Sequence, residues 1–312
     1  MKALVTGGAG FIGSNLVKEL VLGQKASVRV LDDLSTGSLA NLEKVMNKIE
    51  FVKGSITDIK TANAACVGID VVFHLAAKIS VEESIINPEL TNSTNIDGTL
   101  NLLSASKNNE VKRFIFSSSA AVYGNIEAIP VKETAAVSPE SPYALQKYVG
   151  EKYCEYFSKH YGLDSICLRY FNVYGPHQQE AGGYAGVIYK FIKEALLNNP
   201  INIEGDGKQT RDFVFVNDVV TANILAYKAT ERAFGNVYNV GTGKETTIIE
   251  IYNTIKTLSG YTASSTHSDK RKGDIYRSCA NIALAQKKLG YTPTTLLKEG
   301  LDKTINWVKQ KV

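Results

Sequence analysis

Short apolar runs alternate with longer amphipathic stretches through the first half of the chain. The runs are rich in Val, Ile and Phe and lack in–out alternation, which is typical of strands buried on both faces of a parallel sheet. Strand–helix alternation of this kind predicts an α/β fold with a doubly wound parallel sheet. The predicted strands are residues 3–5, 28–31, 49–52, 71–75, 114–116 and 166–168, and the helices between them include 11–22, 58–66, 88–107 and 142–160.

The rhythm changes after residue 168, where a glycine-rich loop over 174–186 and a helix over 187–197 are predicted. Residues 213–216 and 237–240 are predicted to be further strands of the first domain. Helices over 248–258, 282–289 and 296–309 predict a smaller, mixed α/β C-terminal lobe. The predicted domains are therefore 1–172, with 213–242 returning to it, and a second lobe of 173–212 and 243–312.

Composition excludes several classes of protein. Hydrophobic residues make up 44% of the 312 residues and charged residues 21%, which is enough apolar surface for a large core and excludes a disordered chain. The net charge of +4 comes without a block of like charges, so we expect neither nucleic acid nor a membrane surface as partner. No apolar segment reaches the roughly 18 residues of a membrane span, and no signal peptide precedes the first strand.

The four cysteines contain no CxxC pair and do not cluster with the four histidines. We therefore expect no metal site and no disulfide framework. Reduced, buried thiols are typical of a cytoplasmic protein, and the cytoplasm is the predicted compartment.

The sequence VTGGAGFIG, residues 5–13, follows the first strand and opens the first helix. Gly7 permits a tight turn, Gly10 lets the backbone approach a pyrophosphate, and Gly13 lets the helix pack against the strand. The helix N-terminus also presents unpaired N–H groups and a partial positive charge to phosphates. This context predicts a dinucleotide-binding domain of Rossmann type.

Asp32 lies at the end of the second apolar run, at the distance after the glycine loop where an acid binds the adenosine ribose hydroxyls. Its carboxylate would repel a 2′-phosphate, and Asp33 adds a second negative charge, so NAD is favoured over NADP. Asp58, after the third strand, has two open interpretations: it accepts a hydrogen bond from the adenine amino group, or it is a helix N-cap.

Four YxxxK pairs occur in the chain, and their spacing places each pair on one helix face: Tyr143/Lys147, Tyr148/Lys152, Tyr189/Lys193 and Tyr252/Lys256. Two features favour the first. Ser141-Pro142 starts its helix near the sheet end where cofactors bind, and the run SSS at 117–119 follows the fifth strand at the same edge.

A phenol with its ordinary pKa near ~10 is a poor base at neutral pH. A nearby lysine ammonium and a positive nicotinamide favour the phenolate, so Tyr143 can take a proton from an alcohol while hydride leaves the same carbon. Ser119 would hydrogen-bond the alcohol oxygen and relay the proton.

The motifs TGGAGFIG, LDDLSTG, FHLAA, SSSAAVYG, SPYALQK, RYFNVYGP and GDGKQTRDF resemble, in order and spacing, the extended short-chain dehydrogenase/reductase family over essentially the whole chain. Within that family the chain is most similar to the NAD-dependent UDP-hexose 4-epimerases, including the UDP-N-acetylglucosamine branch. The resemblance implies NAD as tightly bound cofactor, a UDP-sugar substrate, and a homodimer formed through the helices of 88–107 and 142–160.

The resemblance also implies roles for individual residues. Ser119, Tyr143 and Lys147 would be catalytic. The implied NAD contacts are Gly7, Gly10, Phe11, Ile12, Gly13, Asp32, Asp33, Ser35, Thr36, Gly37, Asp58, Ile59, Leu75, Ala76, Ala77, Lys78, Ser117, Tyr143, Lys147 and Phe171. The implied UDP-sugar contacts are Lys78, Ser119, Tyr143, Asn172, Val187, Ile203, Arg211, Arg271, Asp274 and Ser278, in which the arginines supply fixed cations for a diphosphate.

One departure narrows the reaction. Related 4,6-dehydratases and decarboxylases carry an acid directly after the catalytic serine or threonine, whereas Ser119 is followed here by AAVY. Without that acid, oxidation at C4 has no elimination to feed, which favours epimerisation. The alternatives are a net oxidoreductase that releases NADH and a non-catalytic NAD sensor on the same fold.

The sugar preference depends on a position shortly after the Arg-x-Gly-Asp element, where large aromatics exclude N-acetyl groups in the epimerases that this chain resembles. Ser278 matches that position, and a register shifted by one residue would place Arg277 or Cys279 there. With Ser278 as the gate, we expect both the plain hexoses and their N-acetyl counterparts to fit. The loop 182–188 also resembles the N-acetyl-handling branch.

Overall fold

The computed structural model describes residues 1–178, 186–269 and 275–311. The described residues form thirteen strands: β1 (Lys2–Thr6), β2 (Ser27–Asp32), β3 (Ile49–Lys53), β4 (Val71–His74), β5 (Arg113–Ser119), β6 (Asp164–Tyr170), β7 (Asn172–Tyr174), β8 (Ile201–Glu204), β9 (Thr210–Arg211), β10 (Phe213–Phe215), β11 (Asn236–Val240), β12 (Thr246–Thr247) and β13 (Ser265–Ser268).

A seven-stranded parallel sheet in the order β11-β6-β5-β4-β1-β2-β3 is the centre of the fold. Its first six strands in the chain and β11 match the predicted strands to within a few residues. Because all seven run parallel, the loops after them gather at one edge of the sheet. The predicted α/β class with a doubly wound, Rossmann-type sheet is confirmed.

The described α-helices are α1 (Phe11–Lys18), α2 (Ile59–Cys66), α3 (Val81–Ile86), α4 (Pro88–Asn92), α5 (Gly98–Asn108), α6 (Pro142–Tyr161), α7 (Val187–Leu196), α8 (Val216–Lys228), α9 (Ile248–Ser259), α10 (Ala283–Leu289) and α11 (Leu297–Val308). The single helix predicted over 88–107 is divided by a π-helical turn, Ser93–Asp97, between α4 and α5. Within the described residues, no helix is both long and apolar enough to cross a membrane.

Two apolar clusters cover the two faces of the sheet, and a third forms a separate lobe. Consecutive strand residues divide between the first two: Val5 belongs to one cluster and Leu4 to the other. This is the burial on both faces that the unbroken apolar runs predict. The third cluster joins α7, α9 and α11 with Tyr174 and Phe215.

Two predicted placements are wrong. Residues 213–216 were expected to be a strand of the first domain, but β10 pairs with β7 in a separate two-stranded sheet and Val216 already begins α8. The helix predicted over 282–289 was assigned to the C-terminal lobe. It packs instead with the large sheet beside β11, because Ile282, Ala285 and Leu289 form one apolar face that covers the edge strand. The exact domain boundaries stay a prediction.

Candidate active site

The glycine loop between β1 and α1 makes the tight turn that the sequence predicts. Gly7 has a φ of +67°, a left-handed conformation that glycine adopts without strain. A Cβ there would lie 2.7 Å from the backbone nitrogen of Ala76, in the loop after β4. At Gly13 a Cβ would overlap the carbonyl oxygen of Gly7. Close packing of backbone against backbone therefore requires both glycines.

Gly10 differs from those two because the fold itself barely requires glycine there. Its φ is −79°, and among the described residues a Cβ would meet only the carbonyl oxygen of Gly7 within 4 Å, at 3.2 Å. Gly10 is the N-cap of α1 and no side chain caps that helix, so the N–H groups of its first turn, which includes Phe11 and Ile12, lack intrahelical partners. An open approach to such N–H groups fits a pyrophosphate.

Asp32 ends β2 and contacts the glycine loop. Its carboxylate accepts hydrogen bonds from the backbone N–H of Ala9 at 2.9 Å and of Leu34 at 2.8 Å. Asp32 is buried, and this burial raises its pKa although the two hydrogen bonds act in the opposite direction. The loop after β2 carries the other predicted cofactor residues of this segment and lies at the same edge of the sheet; these are Asp33, Ser35, Thr36 and Gly37.

Asp58 is the N-cap of α2, one of the two roles that the sequence left open. Its side chain accepts from the backbone N–H of Lys60 at 3.1 Å and from the Thr61 hydroxyl at 2.6 Å, and the Thr61 bond lowers the pKa of Asp58. Asp58 and Ile59 are both exposed. The adenine contact of Asp58 stays a prediction.

The loop after β4 carries four predicted contact residues, and its backbone is fixed from two sides. Ala76 N–H donates to the Thr6 hydroxyl at 3.3 Å. The Asn95 amide binds both backbone groups of Lys78, accepting from its N–H at 2.8 Å and donating to its C=O at 2.9 Å. The four half-buried residues of the loop, beside Gly7, are Leu75, Ala76, Ala77 and Lys78.

Ser119 ends β5, and Tyr143 and Lys147 lie one turn apart near the start of α6, which begins at Pro142 as predicted. The Lys147 ammonium donates to the carbonyl oxygen of Ser117 at 2.9 Å and lies 6.0 Å from the centroid of the Tyr143 ring. Ser119 and Tyr143 are half-buried. The structure therefore gathers a hydroxyl, a phenol and an ammonium at the cofactor edge of the sheet.

Burial separates Lys147 from the lysines of the other YxxxK pairs. Lys147 is 5% exposed, whereas Lys152 and Lys256 are exposed and Lys193 is half-buried. This burial lowers the pKa of Lys147 to about 8, which the negative charge of Glu151 partly opposes. An ammonium beside a phenol favours the phenolate, so this pair alone combines a buried cation with the cofactor edge.

Asn172, Arg211 and Ser278, three of the predicted substrate contacts, are brought together through the backbone. Asn172 N–H donates to the carbonyl oxygen of Asp212 at 3.0 Å, next to Arg211. Ser278 N–H donates to the carbonyl oxygen of Thr210 at 3.2 Å, on the other side of Arg211. Arg211 and Ser278 are half-buried and Asn172 is exposed.

This group adjoins the Ser119 region. Ser119 pairs with Tyr170 in the register of β5 and β6, and Asn172 follows two residues later. Phe171 lies between them, buried, with its ring centroid 6.4 Å from that of Tyr123. Ser119, a predicted proton-transfer residue, and Asn172, a predicted UDP-sugar contact, are therefore joined by one strand pairing and one short stretch of chain.

The structure links the remaining predicted substrate contacts less closely to the group of Asn172, Arg211 and Ser278. Ile203 has no exposed surface and packs in the third apolar cluster, so its side chain offers no accessible contact. Val187 is half-buried at the first position of α7. Arg271 and Asp274, and the residues 182–185 of the predicted N-acetyl loop, lie outside the described residues.

Sequence reasoning missed the buried carboxylate of Asp212. It accepts hydrogen bonds from the backbone N–H groups of Thr242, Gly243 and Ala280 at 2.7, 2.9 and 3.1 Å, and so ties two other segments, 242–243 and the one that contains Ala280, to the residue after Arg211. Burial raises its pKa against these bonds. A charged residue directly before the apolar run FVFV was the available signal.

Sequence reasoning also missed the ion pair of Glu151 and Arg169, whose side chains are 2% and 4% exposed. Glu151 follows Lys147 by four residues and so continues the helix face of Tyr143 and Lys147. That spacing was the signal that could have found it.

Comparison with known proteins agrees with this geometry. The model of the NAD dependent epimerase/dehydratase family matches residues 3–241. The chain belongs to this family. The match covers the glycine loop, Ser119, Tyr143, Lys147 and Arg211.

Similar proteins extend over the whole chain. A UDP-glucose 4-epimerase of Mycolicibacterium smegmatis is 40% identical over 315 residues, covering 100% of this chain and 99% of that protein. A solved UDP-N-acetylglucosamine 4-epimerase of Methanobrevibacter ruminantium has a TM-score of 0.95 at 39% identity, covering 100% and 99% of the two chains. A UDP-glucose 4-epimerase of Thermus thermophilus, solved with NAD, has a TM-score of 0.91 at 34% identity and covers both chains fully.

NAD is the cofactor of this epimerase/dehydratase chain, as predicted. The residues present fit it: the open approach at Gly10 with the uncapped N-terminus of α1 suits the pyrophosphate, and the Asp32 carboxylate suits ribose hydroxyls.

Proposed function

We propose that this chain interconverts UDP-hexoses by NAD-dependent epimerisation at C4 through a 4-keto intermediate. The observation that carries the proposal is the buried Lys147 next to Tyr143 at the end of β5, where Ser119 lies without an acidic neighbour. Acid–base groups for an alcohol are present, whereas the acid that an elimination would use is missing from the position after Ser119.

Tyr143 begins the reaction by accepting the proton of the sugar 4-hydroxyl. Lys147 stabilises the phenolate by its charge, and Ser119 holds the sugar oxygen and relays the proton. NAD supplies the hydride acceptor and donor at C4. The 4-keto sugar then turns about its bond to the diphosphate and presents its opposite face, and Tyr143 returns the proton to the oxygen at the inverted carbon.

The diphosphate stays bound while the sugar turns. Arg211 is the fixed cation for it among the described residues, next to Asp212, which ties three segments together. Arg271 and Asp274 belong to the same proposed set. Asn172 would bind the sugar nucleotide from the first position of β7.

We propose UDP-glucose and UDP-galactose as substrates, together with their N-acetyl counterparts, because the gate position holds a small residue. Ser278 is half-buried, its N–H is bonded to the carbonyl oxygen of Thr210 next to Arg211, and its small side chain would admit an acetamido group that a large aromatic would exclude. Ser278→Tyr should abolish turnover of UDP-GlcNAc and UDP-GalNAc by overpacking and spare the plain hexoses. Unchanged kcat/KM for the N-acetyl pair would place the gate at Arg277 or Cys279 instead.

The deciding experiment incubates the purified protein with each of the four UDP-sugars without added cofactor and separates the products. The proposal predicts an equilibrium mixture of the two C4 epimers, with NAD retained through dialysis and no accumulation of NADH at 340 nm. Stoichiometric NADH formation would favour the net oxidoreductase. Binding of NAD without any product would favour the non-catalytic sensor.

The proposed oligomer is a homodimer formed through the helices of 88–107 and 142–160, which are α4, α5 and α6. Exposed apolar side chains lie on two of these helices and on the adjacent α3: Leu90 on α4 and Leu145 on α6 are 51% and 52% exposed, and Ile85 and Ile86 on α3 are 61% and 68% exposed. Leu90→Lys combined with Ile86→Lys should convert the dimer to a monomer in sedimentation velocity. A monomeric unmodified protein at micromolar concentration would contradict the proposal.

The proposed compartment is the cytoplasm. All four cysteines are free and buried: Cys66, Cys154, Cys167 and Cys279. Such unpaired thiols are typical of a reducing compartment.

A further inference from the structure

Glu151 is a buried carboxylate that the proposed chemistry does not use. It lies one turn beyond Lys147 on α6 and is 2% exposed. Oε1 accepts from the Ser118 hydroxyl at 2.5 Å and from Arg169 Nε at 2.8 Å, and Oε2 accepts from Arg169 Nη2 at 2.6 Å. Burying a carboxylate is costly unless it is paired, and here two hydrogen bonds from Arg169 pair it. The third hydrogen bond, from the Ser118 hydroxyl, can be removed by one substitution without breaking that pair.

The hydrogen bonds join α6 to β5 at two points one helical turn apart. Lys147 donates to the carbonyl oxygen of Ser117, and Ser118 donates to Glu151. The two serines directly precede Ser119, and the two helix residues follow Tyr143 by four and eight positions. Two attachments fix both the rotation and the axial position of the helix against the strand end. They therefore set where the Tyr143 phenol lies relative to the Ser119 hydroxyl.

Arg169, on β6, binds the Glu151 carboxylate from a third element of the fold. It is the sixth residue of β6, pairs with Ser118 in the register of the two strands, and has its guanidinium 4.6 Å from the centroid of the Tyr123 ring. The two hydrogen bonds from Arg169 restrict the carboxylate to one geometry, so the acceptor for Ser118 is rigid.

The charges around Lys147 come from more than one element. Glu151 and Cys154 face it from α6, Tyr143 lies one turn before it, and His74 faces it from β4. Burial lowers the pKa of His74 to about 3, so this imidazole is neutral near pH 7. Cys154 and Glu151 both oppose the burial effect on the pKa of Lys147, and Glu151 is the carboxylate among these groups, with the Arg169 guanidinium paired to it from β6.

We propose that Glu151 is a positioning residue whose hydrogen bond with Ser118, held by Arg169, sets the register between Ser119 and Tyr143. The inference rests on the proposed function, which makes these two residues the proton-transfer pair. A misplacement of about 1 Å can cost up to 10²-fold in rate, so loss of the bond should lower kcat rather than binding.

Ser118→Ala is the main test because it removes the hydroxyl and leaves the ion pair of Glu151 and Arg169 intact. We expect kcat to fall at least about tenfold while KM for the UDP-sugar stays within about twofold. The matched control is Ser165→Ala. Ser165 is also buried, and its hydroxyl donates to the carbonyl oxygen of Cys154 at 2.6 Å, which ties β6 to α6 farther from Tyr143. Equal kcat values for the two variants would overturn the inference.

Glu151→Gln is the second test, because its amide oxygen still accepts from Ser118 but the charge is lost. Because the pKa of Lys147 is lowered to about 8, we expect kcat of the unmodified protein to decline above about pH 8. This decline should begin at lower pH in Glu151→Gln, since the ammonium of Lys147 loses its negative neighbour. It should stay in place in Ser118→Ala, which keeps the charge. An unmoved limb in a folded Glu151→Gln protein would remove Glu151 from the electrostatics of the site. If Glu151→Gln does not fold because Arg169 is left unpaired, Ser118→Ala decides the inference alone.

Amide hydrogen exchange separates this inference from the proposed function. Exchange at residues 117–119 and 143–147 should accelerate in Ser118→Ala and stay unchanged in Ser165→Ala, whatever the activity. An unmodified protein that epimerises no UDP-hexose overturns the proposed function, and the exchange result still decides the attachment. Exchange that is the same in Ser118→Ala and the unmodified protein would overturn the positioning role.

Discussion

The β5–α6 region and the β9 region hold their predicted functional residues in different ways. At the end of β5, Lys147 and Glu151 are almost fully buried and bind the strand directly through their side chains. At β9, Arg211 lies on a two-residue strand, and the neighbouring segment that contains Ser278 is attached through backbone hydrogen bonds of Thr210.

This difference matches the two tasks. Proton transfer depends on distances of a few tenths of an ångström, so its groups belong on rigid elements. Recognition of a sugar tolerates variation, and loops or short strands can change without disturbing the core. Solved UDP-glucose, UDP-N-acetylglucosamine and UDP-glucuronic acid 4-epimerases all have TM-scores of 0.91 or more with this chain.

The largest effect is expected at the β5–α6 region. Tyr143→Phe removes the proton acceptor and keeps the ring, so epimerisation should fall by about 10²–10⁴-fold while UDP binding survives. Turnover measured by product separation and UDP affinity measured by calorimetry check this. Tyr148→Phe is the matched control on the same helix, because its pair partner Lys152 is exposed. Near-normal turnover of Tyr143→Phe would contradict the mechanism.

Ser119→Ala should follow, with a loss of roughly 10²-fold in kcat, because the sugar oxygen loses its hydrogen-bond partner and proton relay. The Ser119 hydroxyl also accepts from the backbone N–H of Ala121 at 3.2 Å, so the thermal midpoint must be measured beside the rate. A rate loss with an unchanged midpoint supports the catalytic role. A rate that simply follows the loss of stability would assign Ser119 to capping of the short helix Ala120–Tyr123.

At the β9 region the expected change is in binding. Arg211→Ala removes a charge-assisted contact to the diphosphate worth about 1.5–3 kcal/mol, so KM should rise by about 10- to 150-fold with little change in kcat. Lys208→Ala is the control, because it removes an exposed cation three residues before Arg211 to which no substrate contact is assigned. A fall in kcat at unchanged KM for Arg211→Ala would end the division between the two regions.

The smallest effect is a dependence on pH. The pKa of Lys147 is lowered to about 8, so the ammonium that favours the Tyr143 phenolate is lost as pH rises through that value. We expect kcat to decline above about pH 8, and the decline to be absent from the residual activity of Lys147→Met.

The stability of the protein should respond to pH in the opposite direction. Between the folded pKa of about 8 and the ordinary lysine pKa of 10.5, the unfolded chain binds more protons, so the contribution of Lys147 to stability rises with pH. Urea unfolding of the unmodified protein and of Lys147→Met at pH 7.5 and 9.5 checks whether Lys147 contributes more to the free energy of unfolding at the higher pH.

Local signals explain most of the successful predictions. The unbroken apolar runs predict β1–β6 and β11 because strands buried on both faces carry no polar alternation. The glycine loop could be located because a side chain at Gly7 or Gly13 would collide with backbone. Both positions therefore require glycine, and the spacing of these glycines is visible in the sequence. Parallel strands also fix the edge at which Asp32 and Ser117–Ser119 must lie, so their proximity follows from the fold class.

The tertiary structure alone decided which polar residues meet. The spacing after Lys147 and the position before the run FVFV mark Glu151 and Asp212 as candidates, but neither signal shows that these acids are buried, because partners far away in the chain bury each of them. The same holds for β10, whose apolar run suits the large sheet but pairs with β7. An apolar residue carries its preference for burial with it, whereas the effect of a charge depends on what the fold places within a few ångströms. The residues of the chain are therefore enough to predict the sheet, the glycine loop and the set of Ser119, Tyr143 and Lys147, whereas the buried charges that lie beside that set become visible only in the folded protein.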